Sequence, residues 1–168
     1  MRLIKNNPGF WGIGPKFLLT SFIISLFLVE LEINYLPVQY SLSYYVSAWT
    51  LSTLGVILVL GGLCFLIITT LTFNKLFKKN ILMRSGTYAL CRHPIYTSWI
   101  IFIVPGLLLS FHLWSCVIVP LFMRIILHFF ISDEEEYLLK TFGKDYLDYK
   151  RRVNTVLPIP KLFKSKQN

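Results

Sequence analysis

The chain has 168 residues, 55% of them hydrophobic and 15% charged, with a mean hydropathy of +0.61, a composition that excludes an ordinary soluble globular domain. Its length holds four or five spanning helices of about 20 residues with short connections, and no large separate soluble domain. Seventeen Lys and Arg against eight Asp and Glu give a formal charge of +9, which by itself fits nucleic acid, anionic lipid or topology signals beside membrane spans.

Arg2, Lys5 and Lys16 precede the first apolar segment, which runs into Glu30 and Glu32 without a small-residue cleavage signal and so reads as a retained span. Apolar segments at 17–36, 48–70, 95–111 and 113–131 predict an all-α integral membrane protein with four, at most five, transmembrane helices. Only Ser110 to Ser115 joins the last two, which predicts a tight third/fourth hairpin, with kinks at Pro105 and Pro120. Glu30 and Glu32 read as boundary residues at the outer end of the first span. The whole chain reads as a single domain.

The connection 34–47 has no Lys or Arg, whereas 74–93 carries Lys75, Lys78, Lys79, Arg84 and Arg92, and the tail after Ile131 carries eight more. By the positive-inside rule the N-terminus, the central loop and the C-terminus share the cytoplasmic side of a multi-pass protein. That placement accounts for the basic excess and removes nucleic acid as a partner; membrane lipids remain, and no obligate protein partner is inferred. Cys64, Cys91 and Cys116 are scattered in or beside apolar stretches without CxxC spacing, so they read as buried thiols and no metal site is expected.

The dense polar chemistry lies in two cytoplasmic segments, 74–93 and 132–160. In the first, Pro94 suits the first turn of a helix, which puts His93 and Tyr96 at a helix N-terminus, where backbone N–H groups favour an anionic ligand. Arg92 adds a planar donor fork. Equally, Arg92 can snorkel to lipid phosphate, with Tyr88 and Tyr96 in the aromatic belt. In the second segment, four consecutive acids, Asp133 to Glu136, sit at a bilayer exit. Either Ser132 or Asp133 starts a new helix with the glutamates in its first turn, or the carboxylates bind ribose hydroxyls or a cationic ligand.

Farther on, Leu138, Phe142, Tyr146, Tyr149 and Val153 recur at helical spacing, which predicts an amphipathic C-terminal helix along the interface, capping the hairpin, with Gly143 loosening it midway. Inside the fourth span Arg124 and His128 are one turn apart and share a face. An intramembrane Arg is a functional candidate, with snorkelling as the alternative. No Gly-rich phosphate loop, Ser/His/Asp order or HExxH site appears.

Two blocks then combine: Gly86-x-Tyr88-x-x-x-Arg92-His93-Pro94-x-Tyr96, and, after a helical hairpin, Glu134-Glu135-x-x-Leu138-x-x-x-Phe142-Gly143-x-x-Tyr146-x-x-Tyr149-x-x-x-Val153 with Pro158. This pattern resembles the isoprenylcysteine carboxyl methyltransferase family, related to the phospholipid methyltransferases, over roughly residues 80 to 160. The first two spans carry no matching motif. The resemblance implies S-adenosyl-L-methionine in a cytoplasmic pocket capped by the C-terminal segment, and a lipophilic small-molecule or lipid substrate entering from the bilayer. Carried over by position, Asn80, Ile81, Leu82 and Met83 would line the cofactor site through backbone. Tyr88, His93, Pro94, Ile95 and Tyr96 would surround the cofactor, and Glu134 would accept its hydroxyl or amine donors.

The implied function is S-adenosylmethionine-dependent methyl transfer to a carboxylate, amine or thiol, with Glu135, Arg92 and Arg124 as catalytic candidates. A carboxylate or thiolate needs no base, whereas an ammonium must lose a proton, to Glu135, Tyr96 or His93. Ser98 stands where the family often has Gly. Phe130 stands where the prenylcysteine enzymes place an Arg thought to hold the substrate carboxylate, and Arg124 and His128 are the candidates to replace it. Two other readings fit the composition: an NADPH-dependent sterol-type reductase with a related C-terminal pattern, and a non-catalytic four-helix transporter or assembly protein, which predicts mid-membrane polar residues in several spans.

Overall fold

The structure is a computed structural model that describes residues 8–36, 41–77 and 81–159. It is all-helical: α1 (Pro8–Tyr35), a one-turn helix (Leu42–Tyr45), α2 (Ala48–Phe77), a 3₁₀ turn (Gly86–Ala89), α3 (Pro94–Ser110), α4 (Ser115–Phe142) and α5 (Lys144–Arg152). α1, α2 and α4 are long and apolar enough to cross a membrane, and α3 is a shorter apolar helix. At 1.5 Å per residue α3 covers about 26 Å against about 30 Å of hydrocarbon, so it completes the hairpin with α4 without a polar loop. Large apolar side chains point outward along the bundle, among them Phe22 at 61%, Leu60 at 57% and Phe129 at 75% exposure. This outward apolar surface is what lipid solvates in a multi-pass membrane protein.

Inward packing is narrow and regular. Ser115, Val119, Met123, Leu127 and Ile131 step along α4 every four residues and are buried, meeting Phe17 of α1 and Ile100 of α3 in one core. α2 and α3 approach until backbone touches backbone: a Cβ on Gly106 would stand 2.8 Å from the Gly55 carbonyl oxygen, and one on Gly62 would stand 2.6 Å from Phe102 Cβ. Small residues are what let apolar helices pack this closely in lipid, where dispersion contacts replace hydrophobic driving force.

The two proline sites differ. Ser98–Ile103 is π-helical, directly before Pro105, whose ring would otherwise crowd the carbonyl four residues earlier; the wider turn re-spaces the chain there. α4 runs through Pro120 as one α-helix. The hairpin turn is closed by Phe111 N–H to the Leu107 and Leu108 carbonyls and by His112, at φ +62°. Glu32 of α1 caps the helix that follows: its carboxylate accepts the Trp114 N–H at 2.5 Å and the Ser115 N–H at 2.8 Å, and also the Ser115 hydroxyl. A boundary carboxylate thus serves as a cap supplied from another helix.

One boundary is corrected. No helix starts at Ser132 or Asp133, because α4 continues unbroken to Phe142. Its 28 residues measure about 42 Å against about 30 Å of hydrocarbon, longer than one crossing requires, and its last turns carry the acids. The break falls at Gly143 instead, at φ +52°, a left-handed conformation that ends α4 and turns the chain into α5. After α5, residues 153–156 lie beside the 91–93 loop, joined by a parallel bridge between Cys91 and Asn154.

Candidate functional site

The site forms where the loop before α3, the projecting end of α4 and the strap of α5 plus residues 153–156 meet. The strap is stitched to the loop by backbone: Arg92 N–H donates to the Asn154 carbonyl at 2.8 Å and His93 N–H to the Thr155 carbonyl at 3.0 Å. Thr97, fully buried one turn into α3, donates its hydroxyl to the Val156 carbonyl at 2.7 Å. The 3₁₀ turn is tied in from both sides, by the Thr69 hydroxyl of α2 to Thr87 at 2.9 Å and by the Tyr149 hydroxyl of α5 to the Tyr88 carbonyl at 2.6 Å.

Arg92 is buried at the centre of this knot, and all five of its guanidinium hydrogens have acceptors. Nε and Nη2 donate to Glu135 Oε1 at 3.2 and 2.6 Å, Nη1 to the Lys150 and Val153 carbonyls at 3.1 and 2.7 Å, and Nη2 also to Thr155 Oγ1 at 3.0 Å. Its fork is used inside the protein, neither snorkelling to lipid nor presented to a substrate. Glu135 holds a second cation, Lys150, at 2.6 Å through Oε2. Burial opposes ionisation of this carboxyl, but contacts from His93, Lys150 and Arg92 outweigh burial and hold it far below the usual carboxylate range.

The four acids therefore divide by face. Asp133 and Glu136 are exposed, the latter paired with Lys140 one turn on, while Glu134 and Glu135 turn inward to His93. His93 Nδ1 lies 3.4 Å from Glu134 Oε1. Its Nε2 is 3.6 Å from Glu135 Oε1, an ion-pair distance too long for a hydrogen bond, so among the described residues this buried nitrogen has no hydrogen-bond partner. Burial alone would lower the His93 pKa, yet the charge of Glu134 and contact with it, reinforced by Glu135, raise it above the ordinary histidine value. The imidazole is thereby biased toward its protonated form. Burial, and then the charge of Glu134, push the Tyr88 phenol above the ordinary tyrosine value.

A cavity of about 300 Å³ opens against this cluster. Tyr88, Arg92, His93 and Glu134 line one part, Pro94, Ile95, Tyr96 and Trp99 come from the start of α3, and Gly14, Pro15 and Leu18 of α1 with Phe73 of α2 close the apolar remainder. Tyr96 stacks on His93 with ring centroids 6.0 Å apart and meets Phe17 edge-on at 5.1 Å. A space of this size with a few convergent polar groups and mostly apolar walls is what a small-molecule site requires.

Of the residues expected at the site, Tyr88, Arg92, His93, Pro94, Ile95, Tyr96 and Glu134 come together around the cavity, with Glu135 directly behind them. Others stand apart. Leu82 packs on Tyr146, Tyr149 and Val153 of the strap, Ile81 is 53% exposed, and neither they nor Met83 line the cavity; Asn80 lies outside the described residues. Arg124 and His128 are exposed on α4, flanking the buried stripe and outside the residues that line the cavity. Lys150, Thr97 and Thr155 belong to the site's framework but carry no signal in sequence, since each acts through a contact made across dozens of residues.

Residues 43–140 match the model of the isoprenylcysteine carboxyl methyltransferase (ICMT) family. The chain belongs to that family. Among curated ICMT relatives, the protein-S-isoprenylcysteine O-methyltransferase of Rattus norvegicus is 32% identical over 120 residues, covering 66% of this chain and 42% of the relative. The enzyme of the same name from Schizosaccharomyces pombe is 33% identical over 89 residues, covering 51% and 36%, and that from Saccharomyces cerevisiae is 32% identical over 82 residues, covering 47% and 33%. The chain thus spans about two-fifths or less of these ICMT relatives. No solved structure matches it. The matched region takes in α2, the loop with Arg92 and His93, the hairpin and the inward glutamates, and stops before α5.

Proposed function

We propose that this protein is a membrane methyltransferase that transfers a methyl group from S-adenosylmethionine to the carboxylate of a lipophilic acceptor such as an isoprenylated cysteine. The observation that carries this reading is the state of the cavity's titratable groups. His93, the ordinary general base near neutral pH, is biased toward imidazolium between Glu134 and Glu135, and Glu135 is committed to Arg92 and Lys150. With His93 and Glu135 both engaged inside the protein, an acceptor that reacts as an anion and has no proton to lose suits the site. The name O-methyltransferase carried by the relatives agrees with this preference.

The residues present fit the cofactor. Glu134 offers carboxylate oxygens to hydroxyl or amine donors, His93 has a buried Nε2 without a hydrogen-bond partner among the described residues, and Tyr96 and Trp99 supply flat apolar walls. When bound, the cofactor supplies a methyl group on a positively charged sulfur, ready for in-line displacement. The protein's contribution is then position and dryness. Glu134 and His93 orient one reactant, while Leu18, Phe73 and Trp99 present an apolar wall to the other and keep water from the reacting centre. Arg92 acts through Glu135 and the strap, as a positioning residue. The basic residues in 74–93 and after Ile131 support a cytoplasmic orientation of this site.

The test is transfer of label from methyl-labelled S-adenosylmethionine to an S-farnesylated cysteine with a free carboxylate, in membranes, comparing native protein with Glu134→Ala and His93→Ala. A base-labile ester formed by the native protein and lost in both variants is the expected result. No labelled product, together with no rise in unfolding midpoint on adding S-adenosylhomocysteine, would overturn the proposal.

A further inference from the structure

A second cavity, of about 250 Å³, lies on the far side of the strap and shares no lining residue with the first. Arg84 and Ala89 from the loop before α3, and Asp148, Tyr149, Arg152 and Val153 from the strap, surround it. The two cavities are separated by a thin wall of hydrogen bonds, Tyr149 hydroxyl to Tyr88 carbonyl and Arg92 Nη1 to Val153 carbonyl. Whatever binds in the second cavity therefore bears on residues that hold the first.

Two arginines line it, and the carboxylates near them are weakly engaged. Arg84 Nη2 touches Asp145 at 3.2 Å, but the side chains are 45% and 75% exposed. Asp148 pairs with Arg151 at 3.8 Å, with exposures of 58% and 69%. Exposed ion pairs of this kind are weak, so both carboxylates can be displaced by a better ligand. Among the described residues, neither of these aspartates pairs with Arg152. Two guanidinium forks on one small cavity match the oxygens of a phosphate, to which arginine binds in a bidentate, charge-assisted way. Leu90, next in sequence to the lining Ala89, is 40% exposed, an apolar side chain that suits a lipid carrying that phosphate.

We propose that this cavity is a phosphate-anion site, filled by an anionic phospholipid headgroup or by free phosphate held between Arg84 and Arg152. Occupancy would tie the 3₁₀ turn to the end of α5 and so brace the wall shared with the first cavity. The proposal does not depend on methyl transfer.

Native mass spectrometry of the full chain in detergent with added phosphatidylglycerol, and calorimetric titration with inorganic phosphate, distinguish the two sources. Retention of one phosphatidylglycerol identifies the lipid, and binding of inorganic phosphate identifies the free anion. In either arm Arg84→Gln and Arg152→Gln should each weaken binding about tenfold, and Asp148→Asn should tighten it. Absence of binding in both arms, or equal affinity of native protein and the double arginine variant at an unchanged unfolding midpoint, overturns the site. Should the double variant unfold, Asp148→Asn decides: tightening supports the site, and no change overturns it.

Discussion

Lys150 engages Glu135 through its side chain, 2.6 Å from Nζ to Oε2, while its backbone carbonyl accepts a hydrogen bond from Arg92, the same residue that binds the other oxygen of Glu135. One carboxylate from α4, one guanidinium from the loop before α3 and one residue of α5 thus close a ring, and the strap cannot shift without breaking it. Buried ion pairs of this kind hold geometry more than they add net stability.

Removing Arg92 is correspondingly costly. Arg92→Ala takes from Glu135 its guanidinium partner and leaves the Lys150 and Val153 carbonyls without their donor, for an expected loss of about 3 kcal/mol or more. Arg92→Lys should recover little, because an ammonium has three donors where five are used. Thermal unfolding in detergent measures the loss, and affinity for S-adenosylhomocysteine should fall with it.

The histidine between the glutamates makes stability depend on pH. A group whose pKa is higher in the folded protein than the ordinary 6.5 stabilises fully below the unfolded value and loses that stabilisation as pH rises through the folded value. The His93 contribution to the unfolding midpoint should therefore be present below about pH 6.5 and decline as pH rises above it. Comparing midpoints of native protein and His93→Asn from pH 6 to 9 isolates the effect; equal slopes for both would refute it.

At the other end of the bundle, Glu32 caps α4 from α1. Glu32→Ala leaves the Trp114 and Ser115 N–H groups unsatisfied and removes a charge favourable to a helix N-terminus, at an expected cost of about 1–2 kcal/mol. Glu32→Gln, which keeps an acceptor but no charge, should lie between native and Ala in unfolding midpoint, with cofactor affinity unaffected by either.

The α2–α3 contact tolerates no side chain. Gly106→Val would drive methyl groups into the Gly55 carbonyl and Leu58, and separating the helices should cost about 1–3 kcal/mol. Gly61, around which a Cβ meets nothing, is the control: Gly61→Ala should leave the midpoint unchanged or slightly raised. A similar fall in both variants would show that the close approach is not what matters.

Much of this arrangement is written locally. The apolar runs mark the helices, Pro94 marks the start of α3, and the His93 and Glu134 blocks mark the cavity. What escapes sequence reading depends on long-range packing. The acids look like a helix start, because exit from the bilayer and the beginning of a helix carry the same polar signal, and only the continuous hydrogen bonding of α4 tells them apart. Arg124 is conspicuous as an intramembrane charge, yet the four-residue stripe from Ser115 to Ile131 chooses which face is buried and leaves Arg124 outside. Glycines 55, 62 and 106 show no pattern until the two helices are laid together.

The strap also sets an order of events in making the protein. Arg92 finds its partners at residues 150, 153 and 155, so when the first three helices have left the ribosome its guanidinium has none of them. The bundle can insert and pair while the cavity still lacks a wall, and the site is completed only once α5 and residues 153–156 have followed. A defect after residue 150 would leave a protein that is fully inserted, abundant in the membrane and inert, with ordinary measures of membrane targeting giving no sign of it.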